Sequence, residues 1–275
     1  MAGYPAGSRV RVRTGDPDHH TRVPRYVRGH TGEVVAALGR WPVPDDSARG
    51  LPSRVETCYA VRFSAADLWG AATTPSPWIC GSPTLTEHDD LPASARTRQL
   101  EERLIAAGLA SDEELDEFLA KLYANASPVN GARMVARAWT DPRYRDLLLS
   151  DGNTAAAELG FDGLSYQLRV VANTDQVHNV IVCTLCSCYP VSLLGPSPSW
   201  YKSFAYRSRT VREPREVLAE FGVALPDTVQ ISVWDSTSEA RYMVLPAQPA
   251  GTGTLDTGQL AGLVTRNGLI GTAVV

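Results

Sequence analysis

The sequence predicts an α+β fold class: a small N-terminal β-barrel followed by an α+β domain. Three features of the 275-residue chain point to it. Short β-branched runs broken by turn residues fill about the first eighty positions. Helix caps and helical periodicity dominate from roughly residue 90 to 160. Strand-like apolar runs then return. The boundary is expected near residue 90, with barrel and linker over 1–90 and the α+β domain over 91–275.

The elements follow in chain order. "SRVRVRTG" alternates Val10 and Val12 with arginines, the period of a half-buried strand. "GHTGEVVAAL" turns around Gly29 and Gly32 and enters a β-branched run at Val34 and Val35. "CYAVRFSAADLWG" reads as another strand, with Tyr59, Val61 and Phe63 on one face. Such short, closely spaced strands suggest a small barrel rather than a βαβ unit. The proline-bearing "TTPSPWICGSPTLTEHDDLP" has no period and reads as a linker.

Helices come next. "RTRQLEERLIAAGLAS" sets Leu100, Leu104 and Ile105 on one face, with Gly108 suited to a left-handed C-terminal position. "SDEELDEFLAKLY" opens on the capping-box pair Ser111 and Glu114. "TDPRYRDLLL" offers Asp141 as cap and Pro142 for the first turn. "SYQLRVVANT" and "VHNVIVC" are strand-like, "REPREVLAEFG" is a short helix ending at Gly222, and "VQISVWDSTSEARYMVLP" reads as a hairpin turning at "DSTSEA".

Composition bounds the function. Hydrophobic residues at 44% and charged residues at 20% form an ordinary globular balance. A formal charge of −4 and a pI near 5.8 give no electrostatic reason to expect a nucleic-acid partner. No stretch approaches the roughly 18 apolar residues of a membrane helix. "MAGYPAGSRVRVRTG" has no apolar core of the signal-peptide kind, so a cytoplasmic, reduced setting is the expectation.

Three of the five cysteines crowd into "VCTLCSCYP", at Cys183, Cys186 and Cys188, while Cys58 and Cys80 lie far away. Three thiols on one loop staple nothing, which argues against a disulfide scaffold. Structural zinc wants two separated pairs of ligands, but only His178 is nearby and no second pair follows. Cys183 and Cys186 have the spacing of a redox pair, yet Cys188 would scramble it and no βαβ pattern surrounds it. A further reading uses all three sulfurs on one ion, joined by the backbone nitrogens of Ser187 and Cys188. Thiolates and deprotonated amides suit a small trivalent transition ion better than magnesium or calcium. One coordination position would stay open for catalysis.

The loop "VCTLCSC" resembles the metal-binding signature of the nitrile hydratase α subunit. "GARMVARAWTDPRYRDLLL", "VANTDQVHNV", "WYKSFAYRSRTVREPREVL", "WDSTSEARYMVLPAQPAGT" and "LVTRNGLIGTAV" resemble the same subunit in order, over roughly residues 95 to 275. "GSRVRVRTGDPDHHTRVPRYVRGHTGEVV" with "YAVRFSAADLWG" is similar to the C-terminal, SH3-like barrel of that family's β subunit. The resemblance therefore implies an SH3-like β-barrel followed by a nitrile hydratase α-subunit-like domain with a helical N-terminal arm. It implies low-spin Co(III) or Fe(III) held by Cys183, Cys186, Ser187 and Cys188. Thr184 resembles the cobalt branch, so non-corrin Co(III) is expected ahead of Fe(III). Cys186 would become sulfinic and Cys188 sulfenic, successive rungs of thiol oxidation, with Cys183 left as thiolate.

In the resembled family, two β-subunit arginines donate to the oxidised sulfurs, a task that suits the fixed N–H groups of guanidinium. Arg28 is the best positional match for one of them, Arg22 the second, and Arg25 fits less well. In isolation all three read as solvated surface charges. The other arginine belongs to the helical half of the β subunit, which has no counterpart here. A separate chain resembling that half is thus expected in a hetero-oligomer, with a metallochaperone or activator for loading. Where many nitrile hydratases carry tryptophan this chain has Val191, and Leu164 stands where glutamine is often found. Both positions belong to the substrate pocket that the resemblance implies, and a smaller residue at 191 would reshape it.

The expected activity is metal-dependent hydration of a nitrile to its amide, with the catalytic assignment resting on Cys188, Cys186 and Arg28. The same signature also fits a thiocyanate hydrolase. A non-catalytic assembly subunit is the reading of a different class, and the complete donor set argues against it. Arg207 and Arg209 of "YRSR" read equally as anchors of a subunit interface or as plain surface charges, while His178 is expected to be structural and the aromatics of "SWYKSFAY" to serve packing.

Overall fold

The computed structural model describes residues 3–14, 23–42, 52, 54–70, 93–185 and 188–275. The expected linker, Arg22, Cys80, Cys186 and Ser187 fall outside them. Residues 1–71 and 126–275 pack as one compact unit, and 72–125 as another. Among the described residues no helix is long and apolar enough to cross a membrane.

The first unit begins with strands β1 (Arg9–Arg11), β2 (Thr31–Pro42) and β3 (Val55–Arg62), antiparallel in the order β1-β2-β3. Val10 and Val12 are half-buried between exposed arginines, as their alternation requires. In β2, Val34 and Leu38 turn inward, and the register with β3 shifts between Val34 and Ala36 and again between Ala37 and Arg40. Gly32 admits β3 closely, since a Cβ there would stand 2.7 Å from the Arg62 carbonyl oxygen. The closed barrel expected from sequence is not found among the described residues, which form an open sheet. Three strands twist but are too few to close.

The strand expected through Trp69 stops at Arg62. A short helix, α1 (Ala65–Trp69), follows Ser64 and ends where Gly70 takes φ +78°. Alternation at Tyr59, Val61 and Phe63 says nothing about the alanine-rich stretch beyond, where helix propensity prevails.

The second unit holds helices α2 (Ala93–Ala106) and α3 (Asp112–Ala124). Ser111 and Glu114 make the expected capping box, and Gly108 adopts φ +64°. Leu104 and Ile105 are half-buried whereas Leu100 is exposed.

The rest of the first unit carries the main core. Helix α4 (Pro128–Thr140) is capped by Ser127, starts on Pro128, and buries Met134, Val135 and Ala138. Helices α5 (Pro142–Ser150) and α6 (Gly152–Ala157) follow, capped by Asp141 and Asp151. Helices α5 and α6 pack on strand β4 (Gln167–Ala172), while the C-terminal helices α10 (Thr257–Leu263) and α11 (Arg266–Ile270) pack on α4, and α11 also on strand β7 (Ala240–Leu245). Strand β5 (Val177–Val182) precedes the cysteine loop, and β6 (Gln230–Asp235) lies beside it.

The hairpin expected over "VQISVWDSTSEARYMVLP" is not formed. Strand β6 pairs in parallel with β5, and β7 in parallel with β4. The apolar runs do mark two strands, but β7 is almost wholly buried, the signature of a parallel strand rather than a hairpin arm. Residues 236–239 thus cross from one ladder to the other, starting with Ser236 N–H donating to the Val182 carbonyl.

His178 holds the C-terminus to β5. It is buried, with Nε2 2.7 Å from the Gly271 carbonyl oxygen and Nδ1 3.4 Å from Asn173 Nδ2. Desolvation holds its pKa below the ordinary value. As pH falls below about 6.5 the unfolded chain takes up a proton that the folded chain refuses. The neutral imidazole's contribution is therefore complete above that pH and declines below it. Denaturation across this range is expected to show stability falling with pH, by at most about 1.4 kcal/mol per pH unit, and His178→Gln should remove that component. Gly271 has φ +89°, and a Cβ there would collide with the Asn179 carbonyl and lie 2.9 Å from Val180 Cα. Gly271→Ala should cost at least about 3 kcal/mol of unfolding free energy, from backbone strain and overpacking together.

Candidate metal centre

Strand β5 delivers the cysteine loop. Val180, Ile181 and Val182 are fully buried, so the strand cannot slide without exposing them, and Cys183 follows at 0% exposure. Thr184, Leu185 and Cys188 are half-buried, and Tyr189 and Pro190 go back under cover. The chain then enters helix α7 (Val191–Leu194).

The loop backbone is tied from several sides. Helix α8 (Phe204–Arg209), capped by Ser203, presents Arg207. Its Nε donates to the Cys183 carbonyl at 2.9 Å and its Nη2 to the Thr184 carbonyl at 2.7 Å. Tyr201 Oη donates to the Cys188 carbonyl at 3.1 Å, and Tyr206 Oη to that of Ile181 at 2.6 Å. Arg241, whose guanidinium lies 4.3 Å from the Tyr166 ring centroid, donates to the Tyr189 carbonyl at 2.7 Å. Burial pushes the phenols of Tyr189, Tyr201 and Tyr206 well up, so they remain protonated donors.

Asp235 supplies the acceptor side. It ends β6 in register with Val182, which puts its carboxylate beside the first loop residues. Oδ1 accepts from Thr184 N–H at 2.8 Å, and Oδ2 accepts from Thr184 Oγ1 at 2.5 Å. Tyr26 Oη also donates to Oδ2, at 2.7 Å. Tyr26 lies in the 3₁₀ turn Arg25–Val27 ahead of β2, so the N-terminal sheet reaches the loop. A cavity of about 1200 Å³ opens along this junction, with Tyr26, Trp69, Leu185 and Asp235 in its wall.

The remaining candidates are placed as follows. Arg28 closes the same turn as Tyr26, with Nη2 3.4 Å from the Val23 carbonyl oxygen. Val191 starts α7, and it and Leu164 both pack half-buried against the main core. Their neighbours meet, with Tyr166 Oη and Ser192 Oγ 3.0 Å apart. Arg209 pairs with Glu213 and Glu220 in a partly exposed cluster. Cys58 sits half-buried in β3.

The described residues suit a metal loop. Cys183 is a buried thiol at a strand end, Cys188 comes five positions later, and the carbonyls of both accept from neighbouring side chains. Cys186 and Ser187 lie outside the described residues, and among the described residues no three His, Cys, Asp or Glu side chains gather into a metal cluster. Thiolates with backbone nitrogens form a donor set for a soft or borderline transition ion.

Sequence reading missed the supporting side chains. Arg207 appeared there as a surface or interface charge, Tyr201 and Tyr206 as packing, and Asp235 as a turn residue. Only the parallel pairing of β5 with β6, invisible in one sequence, brings Asp235 to Thr184. Arg207 makes charge-assisted bonds to two carbonyls, each worth about 1.5–3 kcal/mol. Arg207→Lys, which cannot span both, should lower unfolding free energy by about 1–3 kcal/mol in denaturant titrations.

Comparisons with known proteins point to one family. The family described as "Nitrile hydratase, alpha chain" matches residues 92–273, and "Nitrile hydratase beta subunit, C-terminal" matches residues 1–80. The α subunit of a low-molecular-weight cobalt-containing nitrile hydratase from Rhodococcus rhodochrous is 48% identical over 182 residues, covering 66% of this chain and 88% of that protein. The β subunit of the low-molecular-weight enzyme from the same organism is 45% identical over 76 residues, which is 27% of this chain and 34% of that protein. The chain thus spans about a third of that β subunit. A solved structure of a thiocyanate hydrolase with partially modified cobalt centres superposes with a TM-score of 0.59 at 43% identity, covering 68% of this chain and 91% of that one. With the α-chain match extending over 182 of its 275 residues, the chain belongs to the nitrile hydratase family.

Proposed function

We propose that this chain is the metal-bearing subunit of an enzyme that hydrates nitriles to amides. The observation that carries the reading is the cysteine loop itself, a buried strand end at Cys183 whose carbonyls are held by Arg207, Tyr201 and Arg241. It is supported by 48% identity to a cobalt-containing nitrile hydratase α subunit. The assigned ligands are the sulfurs of Cys183, Cys186 and Cys188 and the amide nitrogens of Ser187 and Cys188, with Co(III) ahead of Fe(III) as the ion. Cys186 as sulfinate and Cys188 as sulfenate belong to the same reading.

When bound, the trivalent ion would supply Lewis acidity to the nitrile group. The chain's own residues do the rest. Asp235 fixes the Thr184 end of the loop, Arg207 fixes the carbonyls beside it, and Tyr201 fixes the Cys188 end. Arg28 is assigned to the oxidised sulfur oxygens, with Arg22 as second candidate. Val191 and Leu164 are assigned to the substrate pocket, where the valine leaves more room than a tryptophan. Residues 1–90 would serve as the β-subunit-like segment and linker, and 91–275 as the catalytic domain.

A separate partner chain would supply the helical half of the β subunit. The support is that this chain matches only about a third of a β-subunit relative's length. Hydrolysis of thiocyanate is the second reading, favoured by 43% identity to a solved thiocyanate hydrolase.

The complex co-expressed with its partner and an activator should convert an aromatic nitrile to the amide and leave thiocyanate largely untouched. Turnover of thiocyanate alone would select the second reading, and turnover of neither would refute both. Replacing Cys183, Cys186 or Cys188 by alanine should abolish metal retention and lower activity by more than about a hundredfold, beyond the loss from an outer-shell contact. Full activity in any of the three would contradict the ligand set.

A further inference from the structure

We propose that Tyr26 is a positioning residue through which the N-terminal sheet holds the cysteine loop in its working geometry. The inference rests on the reading of the loop as the metal site and adds a control that acts across the junction.

The path is short. Tyr26 Oη donates to Asp235 Oδ2 at 2.7 Å, and the same carboxylate accepts both the amide and the hydroxyl of Thr184, at 2.8 and 2.5 Å. Thr184 directly follows the buried Cys183. One carboxylate therefore joins a tyrosine of the N-terminal sheet to the first residue after a ligand. Two hydroxyl donors on Oδ2 and an amide donor on Oδ1 fix the orientation of the carboxylate plane, and a fixed plane fixes the Thr184 peptide. Losing the phenol would remove one of the hydroxyl donors to Oδ2 and with it the tie from Tyr26 to the carboxylate that holds Thr184.

Tyr26 is itself locked. Its ring stacks on Trp69 at 5.5 Å between centroids and 30° between planes. Trp69 in turn donates Nε1–H to the Val211 carbonyl at 3.1 Å, with the Arg212 guanidinium 5.5 Å from its ring centroid. Arg169 Nη2 donates to the Ala37 carbonyl at 3.2 Å, a further tie, this one between β4 and the N-terminal sheet. Docking thus has several supports, and the Tyr26 hydroxyl is the one of these ties that ends on Asp235, the carboxylate bonded to Thr184. Docking strength and loop geometry are separable, which makes the proposal testable.

The test compares three full-length variants co-expressed with the partner: Tyr26→Phe, Trp69→Phe, and 4-aminophenylalanine at position 26, which keeps the ring and a para donor. Amide exchange of the segment around Thr184 and the sulfur-to-metal absorption band are the readouts. The first does not depend on turnover, so failure of the proposal is distinguishable from failure of the assigned reaction. Tyr26→Phe should speed Thr184 exchange by about tenfold or more and displace the band, with kcat falling more than KM changes. Trp69→Phe and the para-amino variant should keep slow exchange and the original band. Unchanged exchange in Tyr26→Phe, or equal changes in Tyr26→Phe and Trp69→Phe, would overturn the proposal. If Tyr26→Phe does not fold, the para-amino variant decides alone: slow exchange with an unmoved band supports the donor role, and fast exchange or a displaced band refutes it.

Discussion

The carboxylate of Asp235 is the constraint on which the rest of the site depends. It takes the Thr184 amide and hydroxyl and the Tyr26 phenol at once, so two chain segments distant in sequence converge on the two oxygen atoms of a third. The convergence requires β6 to run parallel to β5 with Asp235 opposite Val182. That pairing in turn requires the crossover at 236–239, which sends β7 away to β4. A hairpin in its place would leave Asp235 in a solvated turn and the loop without its acceptor.

The cysteine loop leaves the ladder at Val182 and has to satisfy its backbone carbonyls some other way, and here side chains do so. Arg207, Tyr201, Tyr206 and Arg241 donate to carbonyls from Ile181 to Tyr189. Each such bond adds only about 1 kcal/mol net, or somewhat more when the donor is charged. Their joint effect is to hold one backbone path, and a preset path is what a metal with strict geometric demands selects. The buried phenols suit the task because burial keeps them protonated.

Local signals in the sequence carried the helices. The Ser111–Glu114 box, Asp141 before Pro142, and Gly108 all describe interactions within a few residues, and all appear in the structure. The three crowded cysteines likewise made the loop conspicuous without any tertiary knowledge. What escaped was non-local. An apolar run is equally consistent with a hairpin arm and a buried parallel strand, so the pairing of β6 and β7 was misread. Alternation in β1 to β3 marks strands but does not count them into a closed barrel. Arg207 resembles any helix-surface arginine until the fold sets it against Cys183 and Thr184, and nothing in "RYVRG" distinguishes Tyr26 as the residue that meets Asp235.

The central claim is that the loop from Cys183 to Cys188 binds a single trivalent ion and that two of its sulfurs are oxidised. Intact-mass analysis with metal quantification on the co-expressed complex addresses it most directly. The account predicts one cobalt per chain and a mass increase matching one sulfinate and one sulfenate, localised to the loop peptide. A loop with unmodified thiols and no bound transition metal, or with zinc in stoichiometric amount, would contradict it.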